Sequence, residues 1–147
     1  MIALACDHGG FELIQDVKVY LDSLSLPYKD FGTFTTERCD YPQYAAIASR
    51  AIASGECDKG VFVCSTGIGM SIAANKFRNI RAAHCTDCYT AEMTRRHNDA
   101  NVLALGSLVT GTGLALKIVE TFLHTDFDGG RHSQRIAMFE DLRRAGD

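Results

Sequence analysis

The sequence of 147 residues has no strong excess of charge of either sign, with a formal net charge of −3. That removes the electrostatic attraction on which nucleic-acid binding depends, so no nucleic-acid partner is expected. It has no apolar run of membrane-spanning length. Met1 leads through Ile2–Cys6 directly to Asp7-His8, without a charged segment followed by a long apolar one. A cytoplasmic protein with no membrane partner is therefore expected. Proline occurs only at positions 27 and 42, and no linker or low-complexity tract breaks the chain. Residues 1–147 are read as one compact domain, with 46% hydrophobic residues to build its core. The six cysteines are scattered and come without a secretion pattern, so they are read as reduced thiols. Cys85-Thr86-Asp87-Cys88 lacks the second pair that a tetrahedral site would need, and a packing role is expected for it. Nucleotide signatures are missing as well. Gly67-Ile68-Gly69 has Ile72 where a dinucleotide fingerprint has its third glycine, and no turn carries Gly-Lys-Ser/Thr. No metal and no cofactor are expected.

What is present is a repeated alternation of short apolar runs with amphipathic stretches. Ile2–Cys6 reads as a buried strand, and Asp7-His8-Gly9-Gly10 as the turn into a helix bearing Leu13, Ile14, Val17 and Leu21. Residues 27–31 read as a second strand, and Pro42 as the first turn of a helix to about Ser54. Further strands are expected at 61–64, 80–84 and 102–105. Helices are expected at about 70–76, from an Asp87 cap to Asn98, after Gly113, and from Arg131 to about Arg144. Ile136, Phe139 and Leu142 would form the apolar side of the last helix. Met70, Ile72 and Met93 read as core. The alternation implies a five-stranded parallel sheet covered on both faces, with ligands beyond the carboxyl ends of the strands. The terminal helix, which no strand follows, is expected to reach a partner subunit.

The stretch from Gly60 to Lys76 is the chemical centre of the sequence. Val61, Phe62 and Val63 form the strand, Cys64 ends it, and the turn Ser65-Thr66-Gly67-Ile68-Gly69 leads into a helix. Glycines there let the backbone approach a ligand. The helix start offers N–H groups to an anion and can lower the pKa of a nearby thiol. Elsewhere, Arg131 and Arg135 are four apart, which places two guanidinium groups on one helix face where they could grip a phosphate or form a solvated strip. Asp7-His8 and His97-Asn98 could equally be ordinary helix caps. The thiol, histidines, carboxylate and arginines together suit acid–base work on a small anion.

These residues recur in recognisable combinations: Cys6-Asp7-His8-Gly9-Gly10, Asp40-Tyr41-Pro42, Cys64 through Lys76, Arg96-His97-Asn98-Asp99-Ala100-Asn101 and Gly129-Gly130-Arg131-His132-Ser133-Gln134-Arg135. In this order, and over almost the whole chain, they closely resemble the ribose-5-phosphate isomerase B family, which includes galactose-6-phosphate isomerase subunits. The resemblance implies a Rossmann-like three-layer α/β/α sandwich, a homodimer or tetramer with composite sites, and aldose–ketose isomerisation of a sugar phosphate without metal or nucleotide. It implies that Cys64 moves a proton from C2 to C1 through a cis-enediol(ate), that His97 assists ring opening with Asp7 nearby, and that Thr66 lies beside the reacting hydroxyls. The N–H groups of Ser65, Gly67, Ile68 and Gly69 would stabilise developing charge, Asn98 and Tyr41 would position the sugar, and His8, Arg131 and Arg135 would hold the phosphate. The sequence departs from the family pattern at Ser65, where glycine is common, and at Leu108, where an arginine often helps bind phosphate. The expected substrate is ribose 5-phosphate. A hexose 6-phosphate, a non-catalytic phosphosugar-binding role and a thiol hydrolase using Cys64 with His97 are the alternatives.

Overall fold

The computed structural model describes residues 1–144. Three apolar runs form the centre of one parallel sheet: β1 (Ile2–Cys6), β3 (Lys59–Cys64) and β5 (Val102–Gly106). The short strands β2 (Tyr28–Asp30) and β4 (Ala82–His84) are its edges, in the order β2-β1-β3-β5-β4. The helices are α1 (Phe11–Ser23), α2 (Tyr41–Ala53), α3 (Ile68–Ala74), α4 (Cys88–Asn98), α5 (Thr112–His124) and α6 (Arg131–Arg144). Side chains alternate along each strand, so each central strand feeds two cores. Leu4, Cys6, Val61, Val63, Leu103 and Leu105 pack with α1 and α5 on one face. Ala3, Ala5, Phe62, Cys64, Val102 and Ala104 pack with α2 and α3 on the other. The result is the three-layer α/β/α sandwich that the sequence implied.

The strand order reverses between β1 and β3. β1 pairs with β2 on one side and with β3 on the other. A crevice beyond the carboxyl ends of these two strands is where parallel sheets place ligands. Asp7 follows β1 and Cys64 ends β3, so topology alone delivers both to this crevice.

One packing expectation fails. Ile72 is 56% exposed, because in the short α3 it is Met70 and Ala74, four apart, that turn into the core, and this sends Ile68 and Ile72 outward. On α6, Ile136 is half-buried while Phe139 and Leu142 face solvent, so the expected apolar side is largely uncovered within the single chain. Met70 is buried in the core shared with α2 and α3, and Met93 is half-buried. α3 ends at Ala74, before the expected Lys76. There the Asn75 side chain donates to the Ala82 carbonyl (2.8 Å) and accepts from the Ala82 N–H (2.9 Å), tying the helix end to β4.

Candidate active site

The thiol turn is held by close backbone packing. Cys64 is buried, and its Sγ accepts a hydrogen bond from the Gly67 N–H at 3.1 Å. Gly67 adopts φ +78°, a left-handed conformation that glycine reaches without a Cβ penalty, and so reverses the chain into α3. Carbonyl groups of the turn are tied to the loop after β5: Cys64 O accepts from the Ser107 N–H and Ser65 O from the Leu108 N–H, both at 3.0 Å. The first N–H groups of α3 have no acceptor within the helix. Thr66 is exposed, with its Oγ1 3.4 Å from the Ile68 N–H.

Neighbouring segments close around this turn. A Cβ on Gly9 would lie 2.2 Å from Ser65 Oγ, which shows how tightly the Asp7–Gly10 turn presses on it. Asp7 is buried, and its carboxylate accepts the Gly10 N–H at 3.0 Å, capping the 3-10 turn His8–Gly10. His8 is exposed. Its Nδ1 accepts the Cys39 N–H at 3.3 Å. Tyr41 opens α2, and its ring covers Gly69 so closely that a Cβ there would lie 2.6 Å from Cζ. Asp7, His8, Tyr41, Cys64, Ser65, Thr66, Gly67, Ile68 and Gly69 thus share one edge of the sheet.

His97, Asn98, Arg131 and Arg135 do not join them. α4 runs back across the sheet and ends at Asn98, a few residues before β5 begins at Val102. Cys64 pairs with Gly106 at the far end of β5. At the usual rise per residue, the length of β5 alone separates the two edges by about 13 Å. α6 starts beside the end of α4: the Asp128 N–H donates to Arg96 O at 3.0 Å, and the Arg96 Nε lies 3.2 Å from both Asp128 oxygens. The imidazoles of His97 and His132 stack there at 4.4 Å between centroids and 10° between planes. Arg131 and Arg135 are exposed and have no ion-pair partner among the described residues. A cavity of about 430 Å³ on this side is lined by Arg81, Ala83, Thr94, Asn98, Ile136 and Phe139, and no residue of the Cys64 turn borders it.

Residue-level reading of the sequence assigned no task to His132 or Asp128. Their placement depends on how α6 meets α4, and the only local sign was a histidine beside Arg131, off the face shared with Arg135. His132 is buried, and its pKa is lowered from 6.5, first by that burial and then by His97, Arg131 and Arg135. Donor atoms of His97, Asp128 and His132 lie within 4.8 Å of one another, which is the spacing of a potential metal site. Arg96 already occupies both oxygens of Asp128, and two further guanidiniums stand close by. The cluster therefore suits an anion better than a cation. Cys85 belongs to the core, Cys88 packs against it, and burial pushes the Cys85 thiol up to about 11. Burial likewise pushes Cys6 up to about 12, so neither of these thiols supplies a thiolate near neutral pH. Leu108 is 82% exposed.

Fold and site define a parallel α/β sandwich with a thiol-bearing glycine turn at the strand switch point and a histidine–arginine cluster at the opposite edge. The model of the Ribose/Galactose Isomerase family matches residues 2–139, and the chain belongs to that family. It is 48% identical over 135 residues to ribose-5-phosphate isomerase B of Escherichia coli, covering 92% of this chain and 91% of the relative. Ribose-5-P isomerase B of Listeria innocua is 39% identical over 141 residues, 96% of this chain and 95% of its own. Among solved structures, ribose-5-phosphate isomerase B of Clostridium thermocellum superposes with a TM-score of 0.97 at 45% identity, covering 99% of each chain. The type B ribose 5-phosphate isomerase of Trypanosoma brucei superposes at 0.92 with 44% identity, covering 96% of this chain and 97% of that one.

Proposed function

We propose that the chain isomerises a sugar phosphate, ribose 5-phosphate to ribulose 5-phosphate, without metal or nucleotide, in sites built jointly by two copies of itself. The carrying observation is the Gly67 N–H held 3.1 Å from Cys64 Sγ, which fixes the sulfur beside the glycine turn at the strand switch point. The thiolate removes the proton from C2, and the resulting cis-enediolate is stabilised by N–H groups of the Ser65–Gly69 turn. Cys64 then returns the proton to C1, and the exposed Thr66 hydroxyl serves the transfer of the second proton from O2 to O1. Asp7 and Tyr41 border the sugar, and His8 faces its phosphate. Family membership and the names of the relatives support the choice of substrate. A hexose 6-phosphate remains the second reading, supported by Leu108, which leaves the loop beside the turn without a cation.

His97 for ring opening, Asn98 for the sugar, and Arg131 with Arg135 for the phosphate come in this reading from the second copy. Their separation from Cys64 within one chain supports that assignment, since a single pentose phosphate is too short to touch both edges. Exposed apolar groups on both sides support it too: Tyr41, Ile68 and Ile72 beside the thiol turn, and Met138, Phe139 and Leu142 on α6. All six cysteines are free, which fits thiolate chemistry in a reducing cytoplasm; no helix is long and apolar enough to cross a membrane.

The test is an isomerase assay over a panel of aldose phosphates with the wild type and Cys64→Ser. Ribose 5-phosphate should be converted with the highest kcat/KM, and Cys64→Ser should lose roughly 10²–10⁴ in kcat with binding retained. In D₂O the product should carry deuterium at C1. A covalent substrate adduct on Cys64 in place of exchange would favour a hydrolase, and near-wild-type turnover by Cys64→Ser would sink the mechanism.

A further inference from the structure

His84 ends β4 opposite Ala104 and, by strand alternation, shares a face with Ala82, which packs on the cluster containing Cys64, Met70 and Ala104. Its imidazole stands directly against Gly67. A Cβ on Gly67 would lie 2.7 Å from His84 Cδ2, 3.0 Å from His84 Nε2 and 2.8 Å from the Leu105 carbonyl carbon. That Nε2 is buried and has no hydrogen-bond partner among the described residues, an arrangement that calls for a reason. Gly67 is also the residue whose N–H is aimed at Cys64 Sγ. A glycine at φ +78° has many other conformations open to it, so the aim of that N–H depends on what the residue rests against. On one side that is the backbone of Leu105. On the other it is the His84 ring.

We propose that His84 is a positioning residue for the thiol turn: its ring props Gly67 so that the Gly67 N–H stays directed at the Cys64 sulfur. The consequence for catalysis rests on the reading of Cys64 as the base. The Nε2 of His84 is closed off from solvent, and in this assignment His84 acts through Gly67. The contact involves the edge of the ring and no hydrogen bond, so the bulk of the ring, and not its basicity, carries the effect.

Amide hydrogen exchange on ¹⁵N-labelled wild type, His84→Val and His84→Phe, paired with steady-state kinetics on ribose 5-phosphate, tests the assignment. Valine removes the ring yet suits an edge strand, whereas phenylalanine keeps a flat ring without its nitrogens. In His84→Val the Gly67 amide should exchange at least about tenfold faster, with amides of β1 and β5 within about threefold of wild type. kcat should fall about tenfold with KM within about twofold, the pattern of a lost transition-state interaction. His84→Phe should restore both. Unchanged Gly67 exchange in His84→Val overturns the proposal. So does faster exchange spread evenly through β1 and β5, or a phenylalanine variant that behaves like the valine one. His84→Ala takes the place of the valine variant if that protein does not fold. Gly67 exchange is read without substrate, so an inactive wild type would defeat the isomerase reading while leaving the role of His84 decided by exchange.

Discussion

Leu108 projects into solvent from the loop after β5, while its own N–H anchors that loop to Ser65 of the thiol turn. The backbone tie does not depend on the side chain, so an arginine at this position would add a cation near the crevice without disturbing the fold. Leu108→Arg should leave stability within about 0.5 kcal/mol. It should alter the ranking of pentose and hexose phosphates by KM; an unchanged ranking with every KM fixed would mean that position 108 does not face the substrate. His132 makes a second prediction at this scale. Its burial and the positive neighbours His97, Arg131 and Arg135 disfavour its charged form, so its imidazole resonances should titrate below 6.5. The sign follows for stability. The unfolded chain takes up this proton near 6.5 and the folded chain only at lower pH, so this group's contribution to stability falls as pH drops through that window. In His97→Asn, with one positive neighbour removed, the His132 pKa should rise; a value that stays where it was would show that the stack does not couple the two rings.

At the scale of elements, the turn between β3 and α3 is constrained both by conformation and by contact. A side chain at position 67 would meet both an unfavourable φ and backbone atoms of Leu105 at 2.8 Å, whereas Gly55, with φ +82°, has nothing within 4 Å of its missing Cβ. Comparing alanine at the two positions separates conformational strain from contact. Gly55→Ala should cost about 1 kcal/mol from the left-handed conformation alone and spare activity. Gly67→Ala should cost about 2 kcal/mol or more, because contact adds to the same strain, and it should lose activity as the turn shifts away from Cys64. Urea denaturation with unchanged m-values measures both, and equal costs would mean that the turn yields freely. α6 differs from the other helices. It meets its own chain through His132 and Ile136 and leaves Met138, Phe139 and Leu142 outside.

At the scale of the whole molecule, the parallel sheet gives each chain two unlike edges, one with the thiol turn and one with His97, Asn98 and the arginines. A closed pairing of two copies can bring the first edge of each to the second edge of the other. Complementation should expose such pairing. On the proposed roles, Cys64→Ala would lack the base and Arg131→Ala/Arg135→Ala the phosphate grip, so each alone should be nearly inactive. Refolded together as random dimers they should recover about a quarter of wild-type activity, since half the dimers are mixed and one of their two sites is intact. No recovery in confirmed hybrids would place the base and the arginines in a site within one chain, or remove the arginines from phosphate binding.

Much of the fold was legible locally. Apolar strands alternating with amphipathic helices declared the parallel α/β sandwich, and Cys64 lies so near Gly67 in sequence that their hydrogen bond needs only one turn to form. Polar residues at strand ends likewise mark Asp7 and Cys64 in the sequence. His84 and His132 carried no such signal. Each acquires its neighbours, Gly67 for one and His97 for the other, from elements that meet only after the chain has folded. The same holds for Ile72, whose apolar character says nothing about which side of a seven-residue helix faces the core. The sequence by itself therefore determined the elements and the thiol turn, because both follow from periodicity and from residues a few positions apart. Only the tertiary structure decided that His97, Asn98 and the arginines lie on the edge away from Cys64, because the edge a residue reaches depends on the direction in which its helix crosses the sheet.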